Sequence, residues 1–186
     1  FIYRSKNKNK IEIKNLLIDF KRNYVDYRKK WHNQPKFSLQ KKLYGKKFQD
    51  NKINPLCLDL EVASICDLAC SFCYRQYVAT PDKIMKKELA FKLIDQASEL
   101  GIPSMKFNWR GEPLLNPNFP EIVDYAKQKG ILETLINTNA TKLDEKMSEA
   151  IIKSGLDIMI YSFDGGTKKI YEKMRPGRFS KNNFDD

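Results

Sequence analysis

Between residues 56 and 174 the chain alternates short apolar runs with amphipathic stretches, and this alternation restricts the fold more than any single residue does. LCLDLEVA (56–63) reads as a strand with Leu56, Leu58, Leu60 and Val62 on one face. KELAFKLIDQASEL (87–100) follows as a helix, with Leu89, Leu93, Ala97 and Leu100 as its apolar stripe and Gly101 past its end. SMKFNW (104–109) is a second strand and FPEIVDYAKQKG (119–130) a second helix, again stopped by glycine. LETLINT (132–138), KLDEKMSEAIIKSG (142–155) and DIMIYSF (157–163) continue the series as strand, helix and strand. A last helix follows Gly166 and ends near Met174, before Pro176. Each intervening helix is long enough for a right-handed crossover between parallel strands, so the expected class is α/β with a parallel sheet.

The distinctive polar residues sit just after the predicted strands: the cysteines of 66–73, Arg110 and Glu112, Asn137 and Asn139, and Ser162 and Asp164. Core packing accounts for the apolar strand residues but not for four polar clusters at equivalent ends. Parallel α/β sheets form their sites at the carboxyl edge, which is where these clusters fall. Asp164 also suits a helix cap or turn. Met147, Met159 and Met174 are spaced as core or interhelical residues.

The chain has 186 residues, enough for one domain with a sizeable core, and 41% of them are hydrophobic, which excludes a mainly disordered chain. No apolar run approaches the ~20 residues of a membrane span. Its net charge of +11 is unevenly spread. Residues 1–55 carry 16 basic and four acidic side chains, whereas the remainder is nearly balanced. The division predicted is therefore a basic helical segment over 1–53 and a second domain over 54–186. In the first, Leu16, Leu17, Phe20, Tyr24 and Tyr27 form a helical stripe ending near Trp31, and Pro35 is expected to close the helical region. That stripe calls for a surface to bury against. The surrounding charge would also suit an acidic partner, and no recognition-helix or RNA-loop pattern favours nucleic acid. Four strands do not close a barrel and KNNFDD carries no further strand signal, so residues 1–186 are expected to be part of a longer protein.

Cys66, Cys70 and Cys73 form CDLACSFC, a CxxxCxxC loop directly after the first strand. Clustered thiols fit metal binding in a reducing, cytoplasmic setting better than disulfides. Three thiolates around a four-iron cubane leave one iron open to a small chelating ligand, whereas ferredoxin-type sites use four cysteines. Zinc competes on spacing alone: Cys57, Asp67 or the remote His32 could add a fourth ligand, and the chain would then be a zinc-binding interaction module. Cys57 lies at the far end of the strand and reads as a buried thiol.

The motif Cys66-Asp67-Leu68-Ala69-Cys70-Ser71-Phe72-Cys73, with an aromatic residue before the last cysteine, resembles that of the radical S-adenosylmethionine (radical SAM) superfamily. WRGEPLLNP (109–117) is closest to the branch with SPASM or twitch domains. The resemblance runs from about Asn54 to the end of the chain, and it implies the first four βα units of a partial TIM-like barrel. It further implies that Cys66, Cys70 and Cys73 ligate a [4Fe-4S] cluster whose open iron is chelated by the methionine part of S-adenosylmethionine. Phe72 would pack near the adenine, and Gly111 and Glu112 would receive the methionine ammonium. Asn137, Asn139 and Ser162 would approach the ribose or carboxylate. Arg175 would hold the carboxylate or fix the loop. Ala140 stands where the family often has glycine. The implied reaction takes an electron from an external donor such as flavodoxin or ferredoxin. It cleaves S-adenosylmethionine and removes a hydrogen atom from a peptide or protein side chain, or from a small molecule such as a sugar precursor. A truncated, non-catalytic homologue is the other form the resemblance allows.

Overall fold

The computed structural model describes residues 9–43 and 55–179. Helix α1 (Lys10–Leu43) precedes four strands, β1 (Cys57–Asp59), β2 (Ser104–Lys106), β3 (Glu133–Thr138) and β4 (Ile158–Tyr161). Helices α2 (Lys87–Glu99), α3 (Phe119–Gln128) and α4 (Glu145–Ser154) connect them in turn, and α5 (Lys168–Met174) follows the last strand. The strands lie in chain order in one sheet and every pairing is parallel. This is the α/β arrangement that the alternation demands, the opening βα units of a partial TIM-like barrel with a helix in front.

Register divides the sheet into two faces. Leu58, Met105 and Thr134 align across β1–β3, and Ile136 aligns with Met159. This face and its continuations Leu60, Val62 and Phe107 pack beneath Ile94, Phe119, Ile122, Val123 and Ile151 of the helices. Met147 and Met159 lie against the same core, as their spacing implied. Asp59, Lys106, Leu135 and Ile158 align on the opposite face, which is mainly polar on the first three strands and apolar on β4. Gly101 and Gly130 have positive φ at the ends of α2 and α3, where the sequence placed its helix stops.

The phase of α2 and the end of α1 differ from the sequence expectations. On α2 the buried residues are Ala90, Ile94 and Ala97, while Leu89 is 50% exposed. Leu89 and Ala90 begin equally good helical stripes. The one beginning with alanine lets the helix axis approach the sheet closely, and the bulkier leucine is turned out. At the N-terminus, α1 continues through Pro35 to Leu43 instead of closing there. Proline removes one intrahelical donor and crowds the preceding turn, which weakens a helix without always ending it. The predicted basic approach to the next domain falls partly on residues 44–54, outside the described residues.

The apolar stripe of α1 does find a surface. Tyr27 is only 2% exposed, Phe20 and Tyr24 are half-buried, and the rings run on through Trp31 in a ladder of contacts 5.7–6.4 Å apart. Tyr24 and Tyr27 each donate a hydroxyl hydrogen bond of 2.8 Å to Glu133, at the amino end of β3. The helix therefore packs against the sheet end opposite the carboxyl edge. Lys21, Arg22, Arg28, Lys29 and Lys30 stay exposed, as a solvated face would require. Leu17 is exposed as well and takes no part in the packing.

Candidate active site

At the carboxyl edge, the turn after β2 is built into the segment that leads to the cysteines. Arg110 donates through Nε to Glu61 Oε1 at 2.9 Å, and the Glu112 amide donates to the Ile65 carbonyl at 2.8 Å. Between them Gly111 lies against backbone. A Cβ there would come within 2.2 Å of the Ala63 carbonyl oxygen and 2.5 Å of that of Ile65. Glycine is needed here for close approach, and that approach carries Glu112 into the interior.

Glu112 is 2% exposed. Its Oε1 accepts from Thr138 Oγ1 at 2.6 Å and from the Leu114 amide at 3.0 Å, and its Oε2 accepts from the Asn139 amide at 2.8 Å. All three donors are neutral. Burial pushes the carboxyl up to about 7 despite these bonds, with the nearby Asp67 charge adding to the rise. A carboxylate so placed is short of a cation.

The turn after β3 links Glu112 to the cysteine motif. Asn139 donates through Nδ2 to Asp67 Oδ1 at 2.9 Å and lies 3.8 Å from Cys66 Sγ, while Thr141 Oγ1 donates to Asp67 Oδ2 at 2.5 Å. The turn requires positive φ at Ala140, 64°, the only such non-glycine among the described residues. Alanine in that conformation costs about 1–2 kcal/mol. Ala140→Gly should therefore stabilise the protein by about 0.5–1 kcal/mol after allowing for the greater entropy of unfolded glycine, as a rise in the denaturant midpoint at constant slope.

A second clamp grips the cysteine loop from behind. The Ala69 amide donates to the Pro176 carbonyl at 2.7 Å, Ser71 to Met174 at 3.2 Å and Arg178 to Asp67 at 2.7 Å, with Leu68 bridged antiparallel to Gly177. Arg175 is buried in this clamp. Its Nε donates to Asp164 Oδ2 at 2.6 Å, and its guanidinium carbon lies 5.6 Å from the centre of the Phe72 ring. Asp164 thus serves as an ion-pair partner and not as a cap, since Thr167 caps α5. Phe72 is 51% exposed. The Ser162 amide donates to the Thr138 carbonyl at 2.8 Å, which brings the end of β4 beside the Glu112 network. Asn137 stands apart on the sheet face shared with Leu135 and Ile158, its amide donating to Asn108 Oδ1 at 2.9 Å.

Cys70 is buried, and Cys66 and Cys73 are half-buried. Desolvation pushes the Cys66 thiol up to about 11 and raises that of Cys70, where Arg175 opposes the shift. Among the described residues no three His, Cys, Asp or Glu side chains are already grouped as a metal-ion site. Cys57 lies on β1, but it is half-buried and not the buried thiol expected from the sequence.

Sequence reasoning did not pick out Asp67 as the anchor of Asn139 and Thr141, or the Glu61–Arg110 pair. Such pairings join residues tens of positions apart, which periodicity does not record.

Residues 60–183 match the family profile of the radical SAM superfamily. The chain belongs to that superfamily. Among curated relatives, it is 32% identical over 110 residues to the tungsten-containing aldehyde ferredoxin oxidoreductase cofactor-modifying protein of Pyrococcus furiosus, covering 58% of this chain and 30% of that one. It is 33% identical over 106 residues to GTP 3',8-cyclase of Chlorobaculum tepidum, covering 56% and 32%. The structure resembles BtrN, solved in complex with AdoMet and 2-DOIA, with a TM-score of 0.55 and 26% identity over 61% of this chain and 47% of that one. The radical SAM chain described here thus spans about a third of the length of these two curated relatives.

Proposed function

We propose that this radical SAM chain forms the cofactor-binding half of an enzyme that cleaves S-adenosylmethionine reductively and abstracts a hydrogen atom from its substrate. The observation that carries the reading is Glu112: a buried carboxylate, hydrogen-bonded only to neutral donors and tied through Asn139 and Asp67 to the cysteine motif. The fit is chemical. Three thiols share one clamped loop, and a carboxylate lacking a cation lies beside it. Family membership supports use of a [4Fe-4S] cluster with S-adenosylmethionine, and BtrN was solved with AdoMet bound.

In this reading Cys66, Cys70 and Cys73 hold the cluster, and Glu112 binds the methionine ammonium. A bound cluster with S-adenosylmethionine supplies one-electron reduction and hydrogen-abstracting power. The chain's own residues position and shield. Gly111 sets the depth of Glu112, and Thr138 and the Asn139 amide orient its carboxylate. Ser162 and Asn139 border the same edge and, with Asn137, are assigned to the ribose or carboxylate. Phe72 covers the adenine. Arg175, already paired with Asp164, acts by fixing Phe72 and the loop. Residues 1–53 are read as a helical segment packed against a core domain over 54–186. An external one-electron donor such as flavodoxin or ferredoxin and a reducing cytoplasmic setting complete the proposal. No helix among the described residues is long and apolar enough to cross a membrane.

The test is product formation. Full-length reconstituted protein, reduced by dithionite, should convert S-adenosylmethionine to methionine and 5'-deoxyadenosine in equal amounts, and Cys73→Ala should abolish this. Intact S-adenosylmethionine after reduction of a cluster-loaded protein would overturn the reading.

A further inference from the structure

Outside the site just described, a cavity of about 630 Å³ lies on the far side of the cysteine loop, lined by Leu68, Arg75, Tyr77, Thr80, Pro81 and Arg178, among others. Two guanidinium groups of its wall share one carboxylate that is not itself a lining residue: Arg75 Nη2 and Arg178 Nη1 each donate to Asp82 Oδ1 at 2.8 Å. One positive charge is left over. The Arg75 side chain is only 7% exposed, and its Nη1 is buried without a hydrogen-bond partner among the described residues. Buried polar groups are nearly always paired, so this donor demands an explanation. The rest of the lining mixes apolar Leu68, Val78, Ala79 and Pro81 with the neutral polar side chains of Gln76, Tyr77 and Thr80, so no further charged side chain lines the cavity.

We propose that this cavity is a binding site for a small oxyanion, a phosphate or carboxylate group held between Arg75 and Arg178. The planar guanidinium fork matches such groups, and at Asp82 both arginines already converge on one carboxylate oxygen, each through a single hydrogen bond. The three wall segments are the cysteine loop through Leu68, the stretch that follows it through Arg75–Pro81, and the end of the rear clamp through Arg178. Arg178 also holds the Asp67 carbonyl through its amide. An oxyanion bridging the two arginines fastens that clamp to the segment after the third cysteine. The site is defined by protein groups alone and stands independently of the cluster assignment.

Calorimetric titration of full-length protein with inorganic phosphate and, separately, with propionate tests this at constant ionic strength, with chloride as control. At least one probe should bind saturably and slow hydrogen exchange in peptides spanning 74–82. Phosphate alone assigns the site to phosphoryl groups, and propionate alone to carboxylates. Arg178→Gln, at a partly exposed position, should weaken binding by about tenfold or more, the loss expected from one charge-assisted hydrogen bond. Binding of neither probe, protection elsewhere in the chain, equal heat from chloride, or unchanged affinity in Arg178→Gln would each overturn the proposal.

Discussion

Gly111→Ala should destabilise the protein by more than about 3 kcal/mol, a large share of the ~5–15 kcal/mol that holds a typical domain together. The added Cβ would meet the Ala63 and Ile65 carbonyl oxygens and the Ser64 carbonyl carbon at 2.2–2.7 Å, and all three are backbone atoms. No rotamer change can relieve such contacts. Either the turn carrying Arg110 and Glu112 withdraws, breaking the Glu112–Ile65 hydrogen bond, or the segment entering the cysteine loop is pushed aside. Gly166→Ala is the matched control, because a Cβ there meets nothing within 4 Å and it should shift stability by no more than ~0.5 kcal/mol. Denaturant melts of both variants decide the matter. Coincident curves for Gly111→Ala and the parent protein would show that the close approach is not required.

Glu112→Gln should weaken S-adenosylmethionine binding by about 2–5 kcal/mol, because a buried charged partner is lost while cluster content is retained. The same residue makes a signed pH prediction. Its folded carboxyl titrates near 7, above the ordinary 4.5, so the folded state holds an extra proton between those values. Stability of the metal-free protein should therefore fall as pH rises through that window, by up to about 3 kcal/mol, and level off above it. Binding of the cofactor ammonium requires the carboxylate and releases that proton. Affinity should accordingly rise with pH up to about 7 and then flatten. Glutamine removes both slopes. A variant that keeps the parent's affinity and pH dependence would separate Glu112 from the ammonium.

The alternation of 56–174 was legible because strand and helix periods differ and each element buries one face. The carboxyl-edge placement of the cysteines, Glu112, Asn139 and Ser162 followed from topology alone, since parallel strands point their ends the same way. Other features depend on tertiary choice. The phase of α2 was undetermined because stripes beginning at Leu89 and Ala90 both satisfy a helical period, and only the sheet selects between them. Continuation of α1 past Pro35 could not be read from a residue that usually ends helices. Of the roles the sequence left open for Asp164, capping falls away because Thr167 caps α5, and the pairing with Arg175 was not visible in the sequence. Gly111 stood out as part of a motif, but its physical reason, contact with backbone nearly fifty residues earlier, became visible only in three dimensions.

The central claim is that the clamped loop of Cys66, Cys70 and Cys73 holds one iron–sulfur cluster. Anaerobic reconstitution of the full-length protein, with iron and acid-labile sulfide counted alongside its cysteine variants, tests it most directly. Cys70→Ala should lose about four irons and four sulfides per chain relative to the parent, whereas Cys57→Ala should retain them. Stoichiometric zinc with no iron uptake, or a cluster that survives Cys70→Ala, would contradict the account.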